Sequence, residues 1–425
     1  MKWWSMNEIT KQSGIASSTP SALIRWLQSK ILTHVSSPES QQKLWQTREK
    51  KRRADGRHHQ VLYFHQEDDG YSDLAAQTLV KLVERYEITI VVHLVTAETG
   101  ANTPELQLLK LMSRKDAALI APHYGLNHQK VLSPEQAMAL QDKMGGADGS
   151  LQERQAVGNT LRGKLGHYSG AMFYYEGEWY WGIDRLYHLE ARLKSLGADK
   201  SPDQPPLYSR PSNTISCDAS SLTLEYYISL RSPYSAVSWE PTMRLARESG
   251  INLEIKPVLP MVMRGVPATR QKGVYIFKDA AREARAQGVS YGKFYDPIGE
   301  PVIKGYALHA WARNIGKGKD LLGGFLNAAF VEGINTNSHY GLRQIVEKAG
   351  LEWGEARDHL NDTEWHLELE KNRLRMYGFG SWGVPSYHLL DSNRVSVLAV
   401  WGQDRLWLVA RKIEDLMTNN SVNQL

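Results

Sequence analysis

Apolar and polar positions along this chain switch between a period of two and a period near three and a half. Short apolar runs at Val61-Leu62-Tyr63-Phe64, Ile88-Thr89-Ile90-Val91-Val92, Leu224-Glu225-Tyr226-Tyr227-Ile228 and Leu253-Glu254-Ile255-Lys256 read as strands. So do Gly383-Val384-Pro385-Ser386-Tyr387-His388-Leu389 and the alternating Val395-Ser396-Val397-Leu398-Ala399-Val400. Residues 307–312, 321–332, 342–349 and 363–377 instead place apolar side chains three and four apart, and Gly316, Gly333 and Gly350 fall where such helices should stop. A last helix is expected over 406–417. The second half therefore reads strand, helix, strand, helical insertion, strand, strand, helix. If its first two strands are parallel, their crossover should be right-handed.

The two halves resemble each other. Trp181-Gly182-Ile183-Asp184-Arg185-Leu186 recurs as Trp401-Gly402-Gln403-Asp404-Arg405-Leu406, each ahead of a helix-like segment. Upstream, the run at 61–64 leads to Gly70-Tyr71-Ser72 as the run at 224–228 leads to Pro233-Tyr234-Ser235. The interval from Tyr234 to Trp401 exceeds that from Tyr71 to Trp181, so the second copy carries the larger insertion. Between the copies, residues 199–222 are rich in Pro, Ser and Asp, which suits neither a helix interior nor a central strand and reads as a linker. The expected division is an N-terminal helical and basic extension at 1–57, a first domain at 58–198, the linker, and a second domain at 223–418.

The strand-to-helix turn Ser232-Pro233-Tyr234-Ser235 has its own chemistry. Ser232 suits an N-cap and Pro233 the first helical position, where no donor is needed. A hydroxyl there lies in the positive field of a helix N-terminus, which also favours an external anion such as a thiolate. As an isolated tetrapeptide it would read as a plain capping serine.

Composition narrows the classes. With 42% apolar and 23% charged residues over 425 positions, the chain is a globular protein of at least two domains. No apolar run is long enough for a membrane span and the first residues lack a signal-peptide core, so the expected location is cytoplasmic. The single Cys217 rules out a Cys-x-x-Cys centre, a cysteine zinc site or a disulfide within the chain. A net charge of +5 is weak support for nucleic acid, and neither nucleic acid nor membrane is an expected partner. Gly380-Ser381-Trp382-Gly383 is not a nucleophile elbow, and residues 315–320 lack the spacing of a phosphate loop.

Four stretches in order carry a family resemblance: Ser232-Pro233-Tyr234-Ser235, then Lys272-Gly273-Val274-Tyr275 with Asp279, then Gly383-Val384-Pro385, then Trp401-Gly402-Gln403-Asp404-Arg405. On these, residues 223–417 resemble the DsbA-like thioredoxin superfamily, and within it 2-hydroxychromene-2-carboxylate isomerases and kappa-class glutathione transferases. The resemblance implies an α/β fold of two thioredoxin-like domains, each interrupted by a helical insertion, with the N-terminal copy degenerate. It implies glutathione as cosubstrate, with Ser232 holding the sulfur as catalytic residue and Pro233 and Tyr234 beside it. Pro385 matches a cis-proline whose preceding residue, Val384, pairs with the peptide-like part of glutathione. Gln403 and Asp404 match positions at the γ-glutamyl end, and Lys272 a lysine lining the cleft. Read singly, Asp404 is equally a helix cap or half of an ion pair, Pro385 an ordinary trans proline and Lys272 solvated surface. Relatives of the second half are often dimers, which allows a homodimer.

The departures are also specific. The family's Asn after the second strand is missing from residues 260–267, and Pro241 falls inside the helix that starts at Ser232, where it should produce a kink. The first copy has Asp69 in place of Ser232 and, by this alignment, Met172 in place of Pro385; an anionic Asp69 would repel a thiolate. His65, Glu67, Asp68 and Asp69 are set aside as a metal site because acids near a helix start complement its dipole. Residues 48–59 are basic and read as a solvated arm, with nucleic acid or an acidic membrane as the alternatives. The activity implied is a glutathione-dependent isomerase or transferase acting on a small aromatic or unsaturated-carbonyl electrophile. The alternatives are a non-catalytic thioredoxin-like binding or assembly protein, or a DsbA-family oxidoreductase without its cysteine pair.

Overall fold

The computed structural model describes residues 19–128, 131–266 and 268–422. Residues 1–5 and Pro267, used above, lie outside them. The chain forms two compact units, one of Glu39–Ser212 and the other of Asn213–Leu425 with the N-terminal stretch up to Pro38. The boundary falls within the Pro/Ser-rich stretch. That stretch is tied down on both sides of it: Arg85 Nε donates to Asp199 at 2.6 Å, the backbone N–H groups of Leu207 and Tyr208 donate to buried Glu190, and Ala219 is fully buried. The stretch read as one N-terminal extension is shared between the units, the helix Ala22–Ser36 going with the second and nearly all of Pro38–Ala54 with the first.

In the first unit, strands β1 (Gln60–Gln66), β2 (Thr89–Val95), β3 (Met172–Tyr175) and β4 (Glu178–Trp181) form a sheet of order β2-β1-β3-β4. In the second, β5 (Thr223–Ile228), β6 (Asn252–Pro257), β7 (Ser386–Leu390) and β8 (Ser396–Trp401) repeat it as β6-β5-β7-β8. In each sheet the first two strands are parallel and the others antiparallel. The chain is thus an α/β protein of two thioredoxin-like domains. Each has helices between its parallel and antiparallel pairs: Leu106–Ile120, Pro134–Met144 and Leu151–Lys164 in the first, and a larger set running from Arg270–Gln287 to Trp365–Gly378 in the second.

Local chemistry sets the ends of these elements. The insertion helices Glu300–Asn314 and Gly318–Phe330 are separated by Gly316 at φ 77°, and His339–Lys348 is closed by Gly350 at φ 74°, conformations that glycine adopts without a Cβ clash. Their apolar stripes, including Leu322, Phe325 and Ile345, join Trp365 of the helix Trp365–Gly378 and Tyr226, Tyr387 and Val400 of the sheet in one core. The helix Pro233–Ser249 continues through Pro241, where the hydroxyl of Thr242 bonds the carbonyl of Ser238 at 2.7 Å beside the missing donor. Buried Pro241 is accommodated within one helix and does not end it.

Candidate functional site

The site begins at the C-terminal end of β5. Ser232 is extended (φ −91°, ψ 117°), and its Oγ accepts from the backbone N–H of Ser235 at 3.1 Å, the bond of an N-cap. Pro233 occupies the first helical position and is buried. The turn is bolted to the strand behind it, with Ser229 N donating to Ser235 Oγ at 3.2 Å and Tyr226 Oη lying 2.7 Å from Ser238 Oγ. On the other side, Arg231 closes a two-bond fork on Asp296, at 2.8 and 2.9 Å. Arg231 immediately precedes the cap and carries no role in the sequence reading; its signal there is only a cation next to a predicted cap.

Facing the cap is the turn before β7. The Val384–Pro385 peptide bond is cis, and Ser232 Oγ donates to the Val384 carbonyl at 3.4 Å. The turn is held by Gly402 N donating to Pro385 O at 2.9 Å and by Ser386 Oγ donating to Gly383 O at 2.7 Å. A Cβ at Gly383 would lie 2.7 Å from the indole nitrogen of Trp401, so only glycine lets the Trp401 ring pack here. Val384 packs against the buried cluster of Tyr227, Val258 and Met376. Ser232, Pro233, Val384 and Pro385 therefore converge, with one hydroxyl set between a helix N-terminus and a strand-entry carbonyl.

Tyr234 points the other way, its hydroxyl donating to buried Asp279 at 2.8 Å. Asp279 also accepts from Arg282 at 2.5 Å. Lys272 lies seven residues before Asp279 on the helix Arg270–Gln287, two turns away on the same face. Burial pushes its ammonium down to about 8. Gln403 differs from its expected use. Its side-chain amide donates to Glu283 at 2.7 Å and accepts from Gln287 at 2.8 Å, so it bolts the Trp401–Arg405 turn to the same helix. Asp404 folds back over Gly402, where a Cβ would come within 2.4 Å of its carboxylate and φ is 111°. The loop after β6 has a buried arginine, Arg264, bonded to Leu259 O at 3.2 Å and set near Tyr377 and Arg373. It stands in the segment that lacks the family's Asn.

The first unit repeats this framework with different chemistry. Tyr71 Oη donates to Asp116 at 3.0 Å as Tyr234 does to Asp279, and Gln66 N donates to Ser72 Oγ as Ser229 N does to Ser235 Oγ. The same alignment sets Asp69 opposite Ser232, and its carboxylate caps the helix by accepting from Ser72 N at 3.0 Å. It also sets Leu109 opposite Lys272. The Met172 alignment is one residue out. Met172 pairs with Trp181 as Ser386 pairs with Trp401, and Gly182 N donates to Ala171 O as Gly402 N does to Pro385 O. Ala171, at φ 54°, is therefore the counterpart of Pro385. At Gly70 a Cβ would meet Ser113 O at 2.6 Å, so the helix Leu106–Ile120 presses its backbone against the turn. The acids at 67–69 diverge: Asp68 pairs with Lys110 and Arg114, Glu67 accepts from Gln155, and Asp69 caps.

Comparison with known proteins locates the likeness in the second unit. No curated protein matches the chain. Among solved structures, a 2-hydroxychromene-2-carboxylate isomerase aligns over 47% of this chain and 98% of its own, at 16% identity and a TM-score of 0.40. The cytosolic disulfide reductase DsbM from Pseudomonas aeruginosa, also solved with GSH, aligns over 47% and 99% at 18% identity and a TM-score of 0.33. A probable DsbA oxidoreductase from Streptomyces coelicolor aligns over 46% and 90% at 17% identity and 0.35. The model of the DSBA-like thioredoxin domain family matches residues 223–414, the stretch that holds Ser232, the cis-proline and Asp404. Residues 223–414 of this chain are a DSBA-like thioredoxin domain.

Proposed function

We propose that the second unit is a glutathione-dependent isomerase or transferase that acts on a small electrophile such as an unsaturated carbonyl. The observation that carries this reading is the Ser232 hydroxyl, which caps a helix and, among the described residues, has no stronger acceptor for its proton than the Val384 carbonyl at 3.4 Å. A thiolate brought to that oxygen would take the proton in a short hydrogen bond and sit in the field of the helix N-terminus. Both effects favour the charged sulfur and lower a thiol pKa. Glutathione would supply the nucleophilic sulfur, whose reversible addition to a double bond permits rotation or transfer.

The rest of the site has matching tasks. The Val384 backbone beside the cis bond would pair with the peptide-like middle of the ligand, Asp404 with its ammonium group, and Lys272 with a carboxylate. Gln403 would act through the turn it braces. The single cysteine, Cys217, leaves this chain without the dithiol that a disulfide exchange cycle requires.

The test is calorimetric titration of glutathione and S-hexylglutathione into the full chain, together with ultraviolet titration of the bound thiol. Wild type should bind both. Ser232→Ala should keep S-hexylglutathione and raise the bound thiol pKa by about one unit or more. Asp404→Ala should weaken both ligands. Absence of binding at millimolar ligand, or a thiol pKa unchanged by Ser232→Ala, overturns the reading.

A further inference from the structure

The helix Ala22–Ser36 is docked with its polar side inward. Its buried residues are Arg25, Ser29 and Ser36, the reverse of what an amphipathic helix on a soluble domain shows. The contacts are specific and all lie within the second unit. Arg25 Nη1 donates to Asp296 O at 2.5 Å, and Ser29 Oγ accepts from Asp296 N at 3.0 Å. Thr33 Oγ1 accepts from Phe294 N at 3.0 Å, and Arg285 donates to Ser36 O at 3.2 Å. Positions 25, 29, 33 and 36 form one stripe along the helix, so these bonds fix its rotation.

The opposite stripe is apolar and exposed. Leu23, Ile24, Trp26, Leu27 and Ile31 are 66, 50, 47, 45 and 53% exposed. Lys30 and His34 are exposed within the same arc.

We propose that this helix lies on the surface of an anionic lipid bilayer, with the Leu23, Leu27 and Ile31 stripe in the acyl boundary, Trp26 at the headgroup level and Lys30 reaching the lipid phosphates. Five exposed apolar side chains on one face with a lysine among them is the composition of an interfacial helix. A dry interface with a second copy of the chain would have to bury Lys30 and His34 among those apolar residues, whereas at a lipid surface a lysine stem follows the apolar face and its ammonium reaches the headgroups. Nucleic acid would use the cations and leave the apolar stripe in water. A surface-lying helix needs no spanning length, and among the described residues no helix is long and apolar enough to cross a membrane. The proposal is independent of glutathione chemistry.

Sedimentation of the full chain with vesicles tests it, comparing phosphatidylcholine alone with a phosphatidylcholine–phosphatidylglycerol mixture at low and high salt. Wild type should pellet with the anionic vesicles and be released by salt. Leu27→Glu with Ile31→Glu should weaken this by about tenfold or more, and Lys30→Glu by less. Leu27→Ser serves if the double variant does not fold, which circular dichroism reports. Fluorescence quenching by brominated lipid should fall in Trp26→Phe while pelleting persists. Failure to pellet, pelleting that ignores lipid charge, or pelleting untouched by the Leu27 and Ile31 changes overturns the proposal. So does a dimer in light scattering that these changes dissociate.

Discussion

At Ser232 a single oxygen both caps a helix and faces the cis-proline turn, so its two contributions can be separated by substitution. Ser232→Ala removes the bond to Ser235 N and should cost about 1 kcal/mol of stability, the usual worth of a cap. Ser232→Asn should restore most of that and not the thiolate activation, because a carboxamide fills the space a sulfur would take. Thermal unfolding and the bound-thiol titration, run on both variants, check the split. Lys272 makes the opposite trade. A lysine held at about 8 by burial carries its charge near neutral pH at a cost to the folded state. The unfolded lysine keeps its proton to about 10.4. Between these values the unfolded chain binds more protons, so this residue's contribution makes stability rise with pH from about 8 to 10.4. Lys272→Met should therefore raise the melting temperature near pH 7, remove that rise, and weaken any carboxylate ligand whose affinity falls as pH passes 8. A melting temperature lowered by Lys272→Met would show that the ammonium is a structural partner and not a charge stored for a ligand.

At the level of elements, β5 is bound to its neighbours by one buried acid. Glu225 is 1% exposed and accepts from His388 Nδ1 at 2.9 Å, from Arg375 Nε at 2.8 Å and from Tyr227 Oη at 3.0 Å, joining β5 to β7 and to the helix Trp365–Gly378. Burial alone would push its carboxyl up. The hydrogen bonds from His388, Arg375 and Tyr227 overrule that and hold it at about 2. A depressed carboxyl stabilises the fold above its unfolded value near 4.3 and loses that stabilisation as pH falls through its folded value, so the loss should fall between about pH 4.5 and 2. Glu225→Gln should cost on the order of 2–4 kcal/mol at pH 7 and flatten this acid dependence, as urea unfolding at pH 7 and pH 3 would show. The strands and helices around this network could be read from sequence because each rests on local signals: alternation in β8, apolar spacing in Gly318–Phe330, a glycine stop at Gly316. What could not be read depended on distant partners or on loop length. The β3–β4 connection is the two-residue turn Glu176-Gly177, whereas β7 and β8 are joined through residues 391–395 with a bulge, and that difference put Met172 rather than Ala171 against Pro385. Gln403 looked like a ligand contact because nothing local announces Glu283 and Gln287. The docking of Ala22–Ser36 was hidden for a related reason, since its buried stripe is polar and its bonds go to Asp296 and Phe294.

For the molecule as a whole, the question is whether two copies of one framework mean two sites. Both copies keep the sheet order, the tyrosine–aspartate bond and the capped turn, so they share the structural part of the motif. The differences concentrate where a ligand would be held: Asp69 for Ser232, Leu109 for Lys272, Ala171 for Pro385 and Ile183 for Gln403. Charge is one barrier in the first copy, since an acid at position 69 opposes a thiolate. Space is the other, because at Gly70 the backbone of Ser113 already fills the volume a Cβ would need. If both barriers act, removing one does not open a site. Asp69→Ser keeps a competent cap and should change stability by less than about 1 kcal/mol, and it should still leave one glutathione bound per chain. Calorimetric stoichiometry measures this directly. One site in wild type and in Asp69→Ser, lost from both by Ser232→Ala with Asp404→Ala, is the expected result. A second site in the Asp69→Ser variant would mean that the helix Leu106–Ile120 yields to a ligand and that charge alone silences the first copy. Two sites in wild type would mean that a capping carboxylate at a thioredoxin turn does not exclude the tripeptide, and the assignment of roles between the copies would have to be reversed or shared.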